Sequence, residues 1–262
     1  MPLLKTPAIT LKSRKWGEAD RIVTFYTLRY GKVRGAARGA RRMKSRFGSA
    51  LEPFVHADLN LFEKPNDTMH RVSQADIKDS FSGLREDLAL MAAAGRLANL
   101  VGALTADGDP SPRLFETLLE GLRTLHEKWQ EPGLAALLFQ IKLLALAGFR
   151  PQLDHCAACG KAAAAGSVGR ELRFSAYAGG LVCPSCSGNR PDRGLALSLG
   201  GLALLQQASR LAPELLPRLQ ATGTMRRELE VMVEAYVTVV TGKRLPPVDF
   251  LLAAEEEPVY GR

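Results

Sequence analysis

Apolar and polar positions change their spacing once along this chain, near residue 81. Before that point the apolar residues come in short alternating or β-branched runs bounded by turn formers. Residues 51–63 show it most clearly: Val55, Ala57, Leu59 and Leu61 face one way, and His56, Asp58 and Asn60 the other. The pattern predicts five strands, at Leu3–Lys12, Asp20–Leu28, Val33–Ala37, Leu51–Glu63 and Thr68–Ile77. The turn Arg29-Tyr30-Gly31-Lys32 makes the second and third a hairpin, and Lys64-Pro65-Asn66-Asp67 is another turn. Five short strands in so few residues suit a small barrel of the oligonucleotide-binding kind. A five-stranded sandwich is equally compatible with the spacing alone.

Beyond residue 81 the period is helical. Ser111-Pro112 offers an N-cap followed by proline at the first helical position, after which Leu114, Leu118, Leu122 and Leu125 share a face. Leu134–Ala147 is a mostly apolar helix that Gly148 is placed to end. Ser198–Leu211 and Thr224–Val240 read as two more helices. The expected fold class is therefore α+β. A five-stranded barrel (1–80) precedes an all-helical domain in two parts (81–150 and 191–250), with a cysteine-bearing insert at 151–190. Pro246-Pro247 leads into a tail, 251–262, that is expected to fray.

Charge sharpens this division. Residues 1–50 hold thirteen Lys and Arg against two acids, Glu18 and Asp20, a net +11. The other 212 residues hold 22 against 25. One end is thus a positive patch, which favours a polyanionic partner, nucleic acid or an anionic membrane surface. Residues 29–46 alone carry eight Lys or Arg and no acid, with Gly31, Gly35 and Gly39 able to bring backbone close to a ligand. Phosphates are bound by this combination of cations and accessible amides. Lys12, Arg14, Lys15 and Arg21 extend the patch, joining Lys32, Arg34, Arg38, Arg41, Arg42, Lys44 and Arg46 as candidate DNA contacts. Trp16, Tyr30 and Phe47 lie among them and could stack on bases or simply pack. No base-reading motif is present, so little sequence specificity is expected.

The four cysteines fall as Cys156-x2-Cys159, then 23 residues, then Cys183-x2-Cys186. Two residues between ligands let both thiolates of a knuckle reach one tetrahedral ion, and Gly160 and Pro184 suit the tight turns. The gap has room for a β-hairpin, expected from Glu171–Ala176 and Gly180–Cys183. Four thiolates fill the coordination sphere, so one structural Zn2+ is expected, stabilising the fold and catalysing nothing. Redox cysteines and buried free thiols are the competing readings, and His155 is a candidate substitute ligand. The start of the chain has no signal-peptide core, and its longest apolar runs are broken by Arg96, Asn99, Gln140 and Lys142. A cytosolic address follows, where clustered cysteines are metal ligands more often than disulfides.

Catalytic signatures are missing. There is no GxxxxGK[ST] loop, HExxH or GxSxG, and the four histidines are scattered. A non-enzymatic DNA-binding protein is the leading reading. A zinc-ribbon transcription or RNA-binding factor competes with it, and a metal-dependent nuclease would need a carboxylate cluster that does not stand out.

Several segments carry a family likeness: Tyr30-Gly31-Lys32, then Ala37-Arg38-Gly39-Ala40-Arg41-Arg42, Lys44-Ser45-Arg46 and Leu51-Glu52-Pro53-Phe54. Leu114-Phe115 follows, and then Phe139-Gln140-Ile141-Lys142-Leu143-Leu144 running through Gly148-Phe149-Arg150-Pro151 to Cys156-Ala157-Ala158-Cys159-Gly160. In their order and spacing the chain resembles the RecO family of bacterial recombination mediators over nearly its whole length. The resemblance implies an oligonucleotide-binding barrel, a helical domain and a zinc knuckle. It implies binding of single- and double-stranded DNA, annealing of complementary strands, and partnership with RecR in loading RecA onto strands covered by single-stranded-DNA-binding protein. It also implies a cytoplasmic, nucleoid-associated protein. DNA contacts are carried over to residues 29–46. Glu52 departs from the amide that the family often has before Pro-Phe. An acidic, apolar partner tail is expected near Lys142 or Arg150.

Overall fold

The computed structural model describes residues 2–63, 69–127, 131–162, 172–188, 190 and 192–245. The turn at 64–67, Glu171 of the expected hairpin and the tail at 251–262 lie outside the described residues. The chain forms two compact units, one over the described residues up to 127 and one over 131–245.

The first unit is built on β1 (Leu3–Trp16), β2 (Asp20–Thr27), β3 (Gly31–Ala37), β4 (His56–Phe62) and β5 (Met69–Asp79). They close into a barrel in the order β1-β2-β3-β5-β4, with β4 returning to pair with β1 over Leu3–Ile9. The β3–β5 seam is parallel and short, joining Arg34–Ala36 to Met69–Arg71. This closure is that of an oligonucleotide-binding barrel and excludes the sandwich. Val23, Phe25, Val33, Val55, Leu59, Leu61 and Val72 fill the interior. Gly35 is required there, because a Cβ would come within 2.6 Å of Val72 Cγ2. Gly31 is required by its φ of +62° and by the backbone of Asp109 packed against it. Both glycines therefore serve packing within the protein, contrary to the expectation that they admit a ligand.

The fourth strand starts later than expected, at His56 rather than Leu51. Residues 39–55 form consecutive turns, with bonds such as Ser45 N–H to Arg42 O at 2.9 Å and Glu52 N–H to Ser49 O at 3.0 Å. Their apolar members Phe47, Ala50 and Leu51 plug the barrel. Phe54, at φ 73°, turns the chain back so that its N–H meets Thr10 O at 2.8 Å, where β1 bulges. His56 faces away from the barrel interior as expected, yet it is buried there against Phe115, with Nδ1 at 2.8 Å from Asp79 across the sheet.

Two α-helices belong to this unit among the described residues, after a 3-10 turn at Ser82–Arg85. α1 (Leu88–Leu104) is capped by Asp87, which accepts from Ala89 and Leu90 N–H. α2 (Pro112–His126) starts as expected, with Ser111 Oγ accepting from Leu114 N–H and proline at its first turn. Leu114, Leu118, Leu122 and Leu125 are all buried.

The second unit centres on α3 (Pro132–Leu146), buried on nearly every side. Against it pack α5 (Leu199–Arg210), capped by Ser198, and α6 (Gly223–Thr241), and the one-turn α4 (Pro184–Ser187) precedes them in the chain. Lys142 of α3 donates to Ser209 O and Leu211 O at 3.2 and 2.6 Å, sealing the end of α5. In the chain between α3 and α5 comes a small antiparallel sheet ordered β7-β6-β8, from β6 (Leu172–Ser175), β7 (Gly180–Val182) and β8 (Leu195–Leu197). The hairpin was expected; the third strand was not. Among the described residues no helix is long and apolar enough to cross a membrane.

Candidate nucleic-acid interface and metal centre

Register places the predicted cations. Opposed residues in a ladder share a face, so Lys12, Arg14 and Trp16 of β1 lie with Thr24, Ile22 and Asp20 of β2. The same face continues through Arg34 and Ala36 of β3 to Arg71 of β5. It is a cationic outer wall with small or β-branched residues at its centre. Arg71 was missed by sequence reasoning, because it lies far along the chain from the basic run. Strand pairing brings it there, and only its charge and its place in an alternating strand hinted at it.

Arg38, Arg41, Arg42, Lys44 and Arg46 are exposed on the turns that follow β3. These turns are held firmly. Asp20 accepts from Gly39 N–H at 2.7 Å, and Arg41 N–H reaches Ala19 O at 2.9 Å. Arg41 Nη1 bridges Gly17 O and Glu18 O at 3.0 and 2.8 Å. Arg46 lies over the Phe47 ring, 4.9 Å from its centroid. Among the described residues, Arg14, Lys15, Arg38, Arg42 and Lys44 make no ion pair. Of the only two acids in the first fifty residues, Asp20 is occupied by the Gly39 amide.

Other candidates already have partners. Arg21 pairs with Glu52 at 3.1 Å and donates to Ser13 Oγ, so the departure at Glu52 holds a neighbouring arginine. Arg34 pairs with Asp107 at 3.0 Å while half exposed. Lys32 is separated from the rest: its ammonium donates to Gly102 O at 2.9 Å and Thr105 O at 2.6 Å and lies 3.4 Å from Asp107. It caps the C-terminal end of α1, where a cation is favoured by the helix dipole. Burial works to raise the Asp107 carboxyl, but the hydrogen bonds and charges of Arg34 and Lys32 bring it below the ordinary value.

The cysteines of the second unit converge. All four Sγ atoms lie within 4.8 Å of one another, and Cys159 and Cys183 Sγ are 3.8 Å apart. A tetrahedral site with Zn–S bonds of about 2.3 Å has edges of about 3.8 Å, so the donor set fits such an ion. Gly160, at φ +73°, completes the first knuckle and donates to Cys156 O at 2.9 Å. The second knuckle is the first turn of α4, with Cys186 N–H to Cys183 O at 3.0 Å. β7 joins the two, since Ala157 N–H bonds Leu181 O and Cys183 N–H points to Cys156 Sγ at 3.3 Å. His155 is not among the gathered ligands. Burial opposes ionisation of Cys156, yet amide donors from Cys183, Cys159 and Ala158 lower its thiol to about 6. Cys186 is pushed up to about 12, chiefly by its hydrogen bonds to Cys183 and Cys159. A cluster where one sulfur ionises readily and another resists needs a central cation before all four can be thiolates.

Known proteins place the chain. A model described as Recombination protein O N terminal matches residues 1–81, and one described as Recombination protein O C terminal matches 85–247. The chain is 38% identical over 250 residues to a DNA repair protein RecO of Myxococcus xanthus, covering 93% of this chain and 95% of that one. It is 33% identical over 251 residues to one of Symbiobacterium thermophilum, covering 96% and 97%. A third, from Rubrobacter xylanophilus, is 36% identical over 212 residues, covering 80% and 82%. With a barrel of oligonucleotide-binding topology, a helical unit bearing clustered cysteines, and these matches along almost its full length, the chain belongs to the RecO family of recombinational DNA repair proteins.

Proposed function

We propose that this chain is a non-enzymatic DNA-binding protein that anneals complementary single strands and, with RecR, helps to load RecA onto strands covered by single-stranded-DNA-binding protein. It acts in the bacterial cytoplasm, at the nucleoid. The observation that carries this reading is the set of exposed cations Arg14, Lys15, Arg38, Arg42 and Lys44, which make no ion pair among the described residues. Annealing requires two polyanions to be held close, and a broad cationic surface lowers their repulsion without covalent chemistry. Lys12, Arg14, Lys15, Arg34, Arg38, Arg42, Lys44 and Arg46 make the phosphate contacts, with Arg71 beside them. Arg21 and Arg41 shape the surface as well as charging it, and Lys32 contributes through the fold.

The metal in this reading is a single Zn2+ held by Cys156, Cys159, Cys183 and Cys186. Four thiolates leave no coordination site for water, so the ion is structural. In the second unit Lys142 is already committed to carbonyls. Arg150 lines a mostly polar pocket there with Gln152, Gln206 and Ser209, in which Arg210 is already paired with Asp154 at 3.1 Å, so Arg150 is the cation that an acidic partner tail would meet.

The test is strand annealing and DNA binding by the triple variant Arg38→Glu, Arg42→Glu, Lys44→Glu. Annealing is expected to slow by more than tenfold, and the slope of log affinity against log salt to flatten by about 2–3. Normal annealing by the triple variant at moderate salt would sink the reading.

A further inference from the structure

Trp16 differs from the other aromatics of the basic region. Tyr30 packs against the barrel core and Phe47 is 3% exposed, whereas Trp16 is 44% exposed. It sits at the tip of the β1–β2 hairpin, where the ladder ends with Trp16 opposite Asp20. An indole this open at a loop tip leaves much of its apolar surface available to a ligand, and the tip itself is firmly fixed. Arg41 bonds Gly17 O and Glu18 O through its guanidinium and Ala19 O through its amide, and Asp20 takes Gly39 N–H. These bonds lash the hairpin to the cation-bearing turns, so the ring is presented at a set place beside them. Lys12 and Arg14 share its strand face.

An oligonucleotide-binding barrel uses the face of β2 and β3 and the β1–β2 loop for its ligand, and aromatic rings beside cations there take bases by stacking. We infer that Trp16 is a base-stacking residue of this interface, that Arg41 is its positioning residue, and that the ligand they select is a single strand with free bases. Duplex bases are already stacked on one another, and accepting the ring would cost their unstacking. The inference rests on the nucleic-acid reading above and adds strand preference to it, through a contact that phosphate cations alone do not supply. Stacking is tolerant of sequence, in keeping with the missing base-reading motif.

The experiment uses the full chain. Trp16 and Trp129 are its two tryptophans, so Trp129→Phe leaves Trp16 as the sole indole reporter. The probes are oligothymidylate, the same oligomer with abasic sugars, and inorganic polyphosphate. Oligothymidylate is expected to quench Trp16 emission, and the other two to bind without quenching it. In the native background, Trp16→Ala should lower the ratio of oligothymidylate to abasic affinity about tenfold, with Trp16→Phe restoring most of it. Arg41→Ala should reduce the quenching reached at saturation, and Arg41→Lys should recover part of it. Tight binding of oligothymidylate with unchanged emission, and an unchanged ratio in Trp16→Ala, overturns the stacking role while leaving the cationic face standing. Quenching by polyphosphate as deep as by oligothymidylate also overturns it, since the signal then reports charge. Failure of the native chain to bind any probe removes the nucleic-acid reading and this inference with it.

Discussion

The turns after β3 and the cysteine cluster both gather groups that repel one another when charged, and they differ in spacing. Five cations are spread over residues 38–46, each open to water. The four sulfurs are drawn within 4.8 Å. Spread cations offer a field to which each adds a part. Converged sulfurs cannot all ionise alone; Cys156 falls to about 6 while Cys186 rises to about 12. A small central cation would satisfy them together. Dispersed charge should therefore fail by increments, and converged charge all at once.

The largest expected effect is at the converged site. Cys159→Ser should release the metal nearly as completely as the Cys159→Ser, Cys183→Ser double variant, with a fall of several degrees or more in the melting temperature of the second unit. Native mass spectrometry and calorimetry read both, and graded loss from single to double variant would break the contrast.

Lys32→Met comes next and probes a cation that belongs to neither group. It strands Gly102 O and Thr105 O at the end of α1, at a cost of about 2–3 kcal/mol in denaturant unfolding. Its effect on DNA affinity should be smaller than that of Lys44→Met. The reverse order would return Lys32 to the interface.

For the dispersed cations, Arg38→Ala, Arg42→Ala and Lys44→Ala should each lower the salt slope of DNA binding by about 0.7–0.9, and their sum should match the triple alanine variant. A single residue carrying most of the slope would mean a focused phosphate site instead.

The smallest effect concerns a charge that is already paired. Asp79 is held below the ordinary carboxylate value first by its hydrogen bond to His56, with Arg123 adding to it. A lowered carboxyl stabilises the fold above the ordinary value of 3.8, and that contribution disappears as pH falls through the lowered one. Asp79→Asn should thus destabilise the first unit at neutral pH, with the difference from wild type shrinking below pH 3.8. A difference that stays constant into acid would assign the effect to packing.

These contrasts also explain what could be read from the residues alone. Strand alternation, the Ser111-Pro112 cap and the paired Cys-x2-Cys knuckles are local signals, and the structure has each of them. The run Leu51–Val55 misled, because an apolar stretch that plugs a barrel looks like a strand when no periodicity separates them. Lys32 and Arg71 were illegible for a different reason. Their charge was visible, but the roles come from partners brought by tertiary pairing, about seventy residues away for Lys32 and across the β3–β5 seam for Arg71. β8 is three residues long and too short to announce itself.

The parallel β3–β5 seam has one more consequence. Among the described residues it joins Arg34–Met69, Gly35–His70 and Ala36–Arg71, whereas the other seams are long antiparallel ladders. The barrel should therefore breathe there first, and the amides along this line should exchange with solvent ahead of those in β1 and β4. Two cations of the outer wall, Arg34 and Arg71, stand on opposite sides of that line. A phosphate chain bridging them would act as a clasp, so ligand bound on the outside would register as slowed hydrogen exchange at the seam.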